Sequence, residues 1–164
     1  MKKILLAVCL IFIGSVSFAG IGVKGGYVVF DKDYSGFALG ADYQMGLGPI
    51  VLAPEILYWS ANYKDNNSVM ELSVQDLVFN LNGKLSLGIF YGGAGFGINM
   101  FKIKTKITFL GTPIESTAST NKLRFNVFGG FQIPLPMVTP FVELRVVTLG
   151  ETQFMALGGV NLGF

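Results

Sequence analysis

The sequence predicts an all-β protein, an eight-stranded antiparallel up-and-down transmembrane β-barrel, and three observations carry that expectation. Apolar residues make up 51% of the 164-residue chain. Beyond residue 19, however, no apolar run reaches the 18 residues or more of a membrane helix, and barrels need no such run. Side chains also alternate between apolar and polar with period two, as they do where successive residues face opposite sides of a sheet. Turn residues interrupt this alternation often enough to delimit eight strands, and no convincing helix remains.

The first 19 residues, MKKILLAVCLIFIGSVSFA, place Lys2 and Lys3 before an apolar core from Ile4 to Ile13 and small residues at Ser17 and Ala19. This is the layout of a secretory signal peptide over 1–19, cleaved between Ala19 and Gly20. Cys9 is the single cysteine of the chain and lies inside that apolar core. The remaining 20–164 would therefore carry no disulfide and no thiolate metal site, and neither a metal nor a cofactor is expected. Lys2 and Lys3 also account for the whole excess of 12 basic over 10 acidic residues, so the processed chain is formally neutral. A clustered positive footprint for nucleic acid is absent.

Strands are expected near 20–30, 35–46, 50–62, 69–81, 84–104, 121–133, 139–149 and 152–164. In the second, Phe37, Leu39, Ala41, Tyr43 and Met45 oppose Gly40, Asp42 and Gln44. In the fifth, FYGGAGFGINMF at 90–101 lies in a stretch without charge between Lys84 and Lys102. Its Gly93, Gly95 and Gly97 form G-x-G-x-G, whereas a dinucleotide loop needs G-x-G-x-x-G leading into a helix. Glycine doublets recur at 25–26, 92–93, 129–130 and 158–159. Within strands they permit sharp coiling and close backbone approach in a narrow barrel. In the sixth strand, Leu123, Phe125, Val127 and Phe131 oppose Lys122, Arg124, Asn126 and Gln132. In the seventh, Val142, Leu144 and Val146 oppose Glu143 and Arg145.

The connections divide by length. GLGP at 46–49, the Asn82-Gly83 pair and PLPMV at 134–138 read as short turns, Asn-Gly being the strongest two-residue hairpin signal. DKDYS, NYKDNNS, a segment from about 105 to 120 and TLGET read as the opposite, mostly longer and polar set. By alternation, the inward charges are Lys24, Lys84, Arg124 and Arg145 against Asp42, Glu55, Asp76 and Glu143, with Gln44, Asn80, Asn126, Gln132 and Asn161 completing a polar network. Four positive charges meet four negative ones, which predicts a closed polar lumen.

The leader, the alternating strands, APEILYW at 53–59, FYGGAGFG at 90–97, TPFVELRV at 139–146 and the terminal GGVNLGF at 158–164 together resemble small bacterial outer-membrane barrels of the OmpA and OmpX type. The resemblance covers the whole of 20–164. It implies residence in the outer membrane, with outer-membrane lipid and lipopolysaccharide as surroundings, and a monomer that meets an unidentified extracellular ligand through its loops. It also implies that the alternation from Phe154 to Phe164, ending on phenylalanine, serves as the signal read by the barrel assembly machinery. No peptidoglycan-binding domain of the kind appended in OmpA itself is expected after Phe164.

Three functions compete within this class. The first is a non-enzymatic barrel with surface-exposed loops in a structural, adhesive or surface-protective role. The second is a narrow channel or transporter for small hydrophobic solutes. The third, a lipid-modifying enzyme, is disfavoured because the chain has no histidine to act as general base. Ser73 with Asp76, or Lys84 with Ser86, are available on paper for a histidine-free mechanism, but polar residues inside a barrel are far more often structural. A soluble lipocalin-like barrel would turn its apolar faces inward, which suits these strands poorly. Lys102, Lys104 and Lys106 share sequence parity with Lys122 and Arg124, which suggests one basic face able to meet lipopolysaccharide phosphates.

Overall fold

The computed structural model of the protein describes residues 16–31, 34–47, 50–64, 70–109, 112–148 and 152–163. Eight strands follow one another: β1 (Val16–Asp31), β2 (Tyr34–Leu47), β3 (Ile50–Lys64), β4 (Met70–Leu87), β5 (Phe90–Phe109), β6 (Thr112–Gln132), β7 (Val138–Thr148) and β8 (Gln153–Gly163). Each pairs antiparallel with its sequence neighbour, and β1 pairs with β8 from Gly20↔Gly163 to Val29↔Phe154, which closes the barrel. Closure gives every strand two neighbours where the wall is complete. No helix among the described residues is long and apolar enough to cross a membrane.

The outside of the barrel is an apolar belt. Leu39, Ile56, Phe96, Val127, Val142, Leu144 and Phe154 each expose more than half of their surface. The partners opposed to them along the same strands, such as Asp42, Glu143 and Arg145, are buried. An apolar exterior around a charged interior inverts the soluble lipocalin-like arrangement and suits hydrocarbon. Strand length sets the height of the belt. The 11 residues of β7, at about 3.3 Å each and tilted by about 45°, rise about 26 Å, close to the ~25 Å apolar band of such barrels.

β5 and β6, at 20 and 21 residues, are almost twice that length. Their surplus extends beyond the belt on one side as a tall hairpin. The segment from about 105 to 120, read from sequence as a loop, is therefore largely strand. Its Thr, Ser and Lys content favours solvent without preventing the ladder, which runs from Phe109↔Thr112 down to Phe90↔Phe131.

A second difference lies at Asn82-Gly83. These residues sit inside β4, opposite Gly95 and Ala94, and the turn comes later, at Gly88 and Ile89. Gly88 has φ of 68°, a conformation that glycine adopts without a Cβ penalty. Asn82 is instead needed in the wall, because its side chain is buried and accepts a hydrogen bond from Asn126 over the intervening Gly95 of β5. β1 also starts earlier than expected, with Val16↔Leu47 and Ala19↔Met45 pairing upstream of Gly20.

A candidate functional site in the lumen

The residues turned inward form two layers. Toward the rim that carries the Gly88-Ile89 turn, here the turn rim, the lumen is charged. Glu55 of β3 is its centre. It accepts from Arg145 of β7 in a two-pronged contact, Nη1 to Oε1 at 2.5 Å and Nη2 to Oε2 at 2.9 Å. It also accepts from Lys24 Nζ of β1 at 2.5 Å and from Asn80 Nδ2 of β4 at 2.7 Å. Lys24 reaches Asp42 of β2 at 2.7 Å, and Arg145 reaches its strand neighbour Glu143 at 2.8 Å. One carboxylate thereby ties β3 to its neighbour β4 and to the non-adjacent strands β1 and β7.

Amides and rings surround these charges. Gln44 donates to Asp42 Oδ1 and to Asn161 Oδ1, Tyr91 donates to Glu143, and Gln132 donates to Ser86 Oγ and to the Gly88 carbonyl. Phe128, Tyr91 and Phe141 pack as an aromatic cluster. The Arg145 guanidinium lies 5.1 Å from the Phe128 ring centre and the Lys84 ammonium 4.1 Å from that of Tyr91, within the range of cation–π attraction.

Of the thirteen residues assigned to the polar lumen from sequence, twelve are buried and Gln44 is half-buried. They do not form one assembly. Asp76 and Arg124 form a separate pair at 3.6 Å nearer the other rim, where Asn99 donates to both Asp76 oxygens at 3.1 and 3.0 Å. Asn126 engages Asn82. Gly20 is buried on β1 and Ala19 lies on the same strand, while Phe164 is outside the described residues.

The glycine run of β5 makes room for this filling. A Cβ on Gly95 would collide with Asn82 Oδ1, one on Gly97 with Asn80 Oδ1, and one on Gly93 would stand 2.5 Å from Phe128 Cζ. The bare inner wall of β5 accommodates side chains that lean in from β4 and β6.

Above the charges lies a layer that the expected all-polar lumen did not contain. Val28, Ala38, Leu57, Trp59, Ala61, Val74, Val78, Val147, Met155 and Leu157 form a buried apolar cluster, with Phe101 packed against it. Its residues sit in stretches such as Ile56-Leu57-Tyr58-Trp59 and Met155-Ala156-Leu157, where apolar residues occupy both faces and alternation disappears. Tyr91, Phe128, Phe141, Asn82 and Asn99 were also missed. Asn99 could have been found by continuing the inward parity of Gly93, Gly95 and Gly97.

Two further juxtapositions change. β5 and β6 pair even with odd numbers, as in Ile98↔Leu123 and Lys102↔Ser119. Lys102 therefore points outward and is exposed while Arg124 points inward and is buried, so these two do not share a face. Ser73 and Asp76 differ in parity and lie on opposite faces of β4, which rules them out as a dyad. Among the described residues no group of histidine, cysteine, aspartate and glutamate side chains is arranged to hold a metal ion.

No protein-family model matches the sequence, and no curated protein matches it. Solved structures do match the fold. The attachment invasion locus protein Ail of Yersinia pestis, solved with the heparin analogue sucrose octasulfate, superposes with a TM-score of 0.59 at 14% identity, covering 90% of this chain and 97% of that one. Neisserial surface protein A superposes with a TM-score of 0.57 at 11% identity, with the same coverage. Strand number, closure, outward apolar belt and these superpositions agree, and the chain has the fold of the small bacterial outer-membrane β-barrels of the OmpA and OmpX type.

Proposed function

We propose that the protein is a non-enzymatic outer-membrane barrel that holds an adhesive sheet above the membrane. The observation that carries this reading is the open edge of β6. β7 meets β6 only from Phe125↔Thr148 to Gln132↔Phe141, whereas β5 accompanies β6 from Thr112 onward. From Thr112 to Arg124, β6 has a ladder partner on one side only among the described residues. An unpaired edge of this length offers a row of backbone donors and acceptors to an added strand.

Short turns of such barrels face the periplasm. The Gly88-Ile89 turn therefore belongs there and the tall hairpin outside. The side chains near the edge are small or polar, with Ser116, Ser119, Thr120, Asn121 and Lys122 all exposed, which favours a reversible surface contact over aggregation. The fold is shared with a Yersinia attachment protein crystallised with a heparin analogue, which makes immobilised heparin a reasonable first probe. The lumen, filled by ion pairs and an apolar layer, supports the channel alternative poorly.

The test compares bacteria displaying the wild-type protein with bacteria displaying Ser119→Pro, which removes one edge donor. Adherence to heparin-coated plates and to epithelial monolayers should fall on at least one surface, with unchanged protein levels. Equal adherence for the wild type, the variant and bacteria lacking the protein would reject the adhesive reading.

A further inference from the structure

The lumen opens at the turn rim into a vestibule of about 250 Å³. Lys84 lies in its wall. The other three buried cations each hold a carboxylate: Lys24 has Asp42 and Glu55, Arg124 has Asp76, and Arg145 has Glu55 and Glu143. Among the described residues Lys84 touches no carboxylate directly, and Asp42 and Glu143 act on it only through space; it is 8% exposed and rests on the Tyr91 ring. A buried ammonium stabilised by a ring on one side retains donors for an acceptor on another.

The rest of the vestibule is asymmetric. Ser86 and Gln132 flank Lys84, while Leu135, Met137 and Leu162 form an apolar lip. Leu135 and Met137 are 53% and 74% exposed. A simple inorganic anion would satisfy the ammonium and leave this lip in water. A sugar would gain little from it. The volume is room for a short hydrocarbon tail.

We propose that this vestibule binds a fatty-acid-like monocarboxylate of medium chain length, its carboxylate on Lys84 and its tail against Leu135, Met137 and Leu162. The site faces away from the adhesive hairpin and does not depend on it. Each methylene that leaves water on binding should raise affinity about fourfold, so octanoate should bind much more tightly than acetate. Octanol, lacking the charge, should bind weakly.

The experiment uses the protein in lipid nanodiscs, with the Met137 methyl resonance followed by NMR during titration with octanoate, acetate and octanol. The expected result is a saturable octanoate shift, at least tenfold weaker in Lys84→Met. Heat-modifiable migration on gels checks that this variant is folded. Should it fail to fold, Leu135→Asp at the exposed lip serves in its place, and the same loss is expected because it opposes both tail and charge. The proposal is overturned if the wild-type resonance does not respond to octanoate, if acetate matches octanoate, if octanol matches octanoate, or if the folded variant binds as the wild type does.

Discussion

Arg145 and Glu55, 90 positions apart in sequence, face each other across the lumen in a two-pronged ion pair with contacts of 2.5 and 2.9 Å. Both are almost fully buried, at 1% and 3% exposure. Removing either partner breaks a buried pair in a water-poor interior and leaves the other with a single counterion, Glu143 for Arg145 or Lys24 for Glu55; breaking a buried pair typically costs about 3–5 kcal/mol. Glu55→Ala and Arg145→Ala should each lower the urea midpoint of the barrel in lipid vesicles by more than any loop substitution. Glu55→Ala should be the more severe, since it also takes one of two carboxylates from Lys24 and frees Asn80. The double variant should lose less than the sum of the singles, and strict additivity would deny the coupling.

Gly95 is predicted to tolerate no side chain while Asn82 keeps its place. Gly95→Ala should cost about 1–3 kcal/mol through overpacking. Asn82→Ala, in the background of Gly95→Ala, should recover part of that loss by removing the oxygen that the new methyl group meets. A Gly95→Ala protein as stable as the wild type would show that β5 shifts freely, contrary to the packing of Asn80, Asn82 and Phe128 against it.

The wild-type protein should show no large, steady conductance in planar bilayers. Its lumen is obstructed twice, by the Glu55 network and by the Trp59 layer. Arg145→Ala should leave the second obstruction in place and remain without a steady pore. A stable, weakly selective open state in the wild type would promote the channel reading.

Orientation can be read with single cysteines, because Cys9 is the chain's only native cysteine and lies in the proposed leader. Ser119→Cys should react with a membrane-impermeant maleimide on intact cells. Leu135→Cys should react only after the outer membrane is permeabilised. The reverse pattern would invert the barrel and place the tall hairpin in the periplasm.

Deletion of Phe164 should slow insertion of the newly made protein, if the alternation from Phe154 to Phe164 serves assembly as the family resemblance implies. Pulse labelling with heat-modifiable migration as the readout measures this. Insertion at the wild-type rate would remove Phe164 from that role.

The class of the protein is legible from the sequence alone, because period-two alternation is a local property that needs no knowledge of partners. Val142 and Leu144 against Glu143 and Arg145 already state that β7 has a charged side and an apolar side. Eight such segments without a membrane-length apolar run leave a barrel as the economical solution. Where both faces are apolar, as at Leu57 and Trp59, the local signal vanishes, and only closure of the sheet reveals that one face is lipid and the other a buried layer. The turn after β4 was decided by the same closure. Asn82-Gly83 has the local chemistry of a hairpin, but Asn82 is held in the wall by Asn126 from a distant strand, and Gly88 takes the turn. Pairing followed suit, since parity along one strand says nothing about the next until the register is known. The register separated Lys102 from Arg124 and brought Glu55 to Lys24, Asn80 and Arg145. Asn80 is the ladder partner of Glu55 on the neighbouring strand, whereas the contacts with Lys24 and Arg145 join non-adjacent strands and depend on how the whole sheet curls and closes.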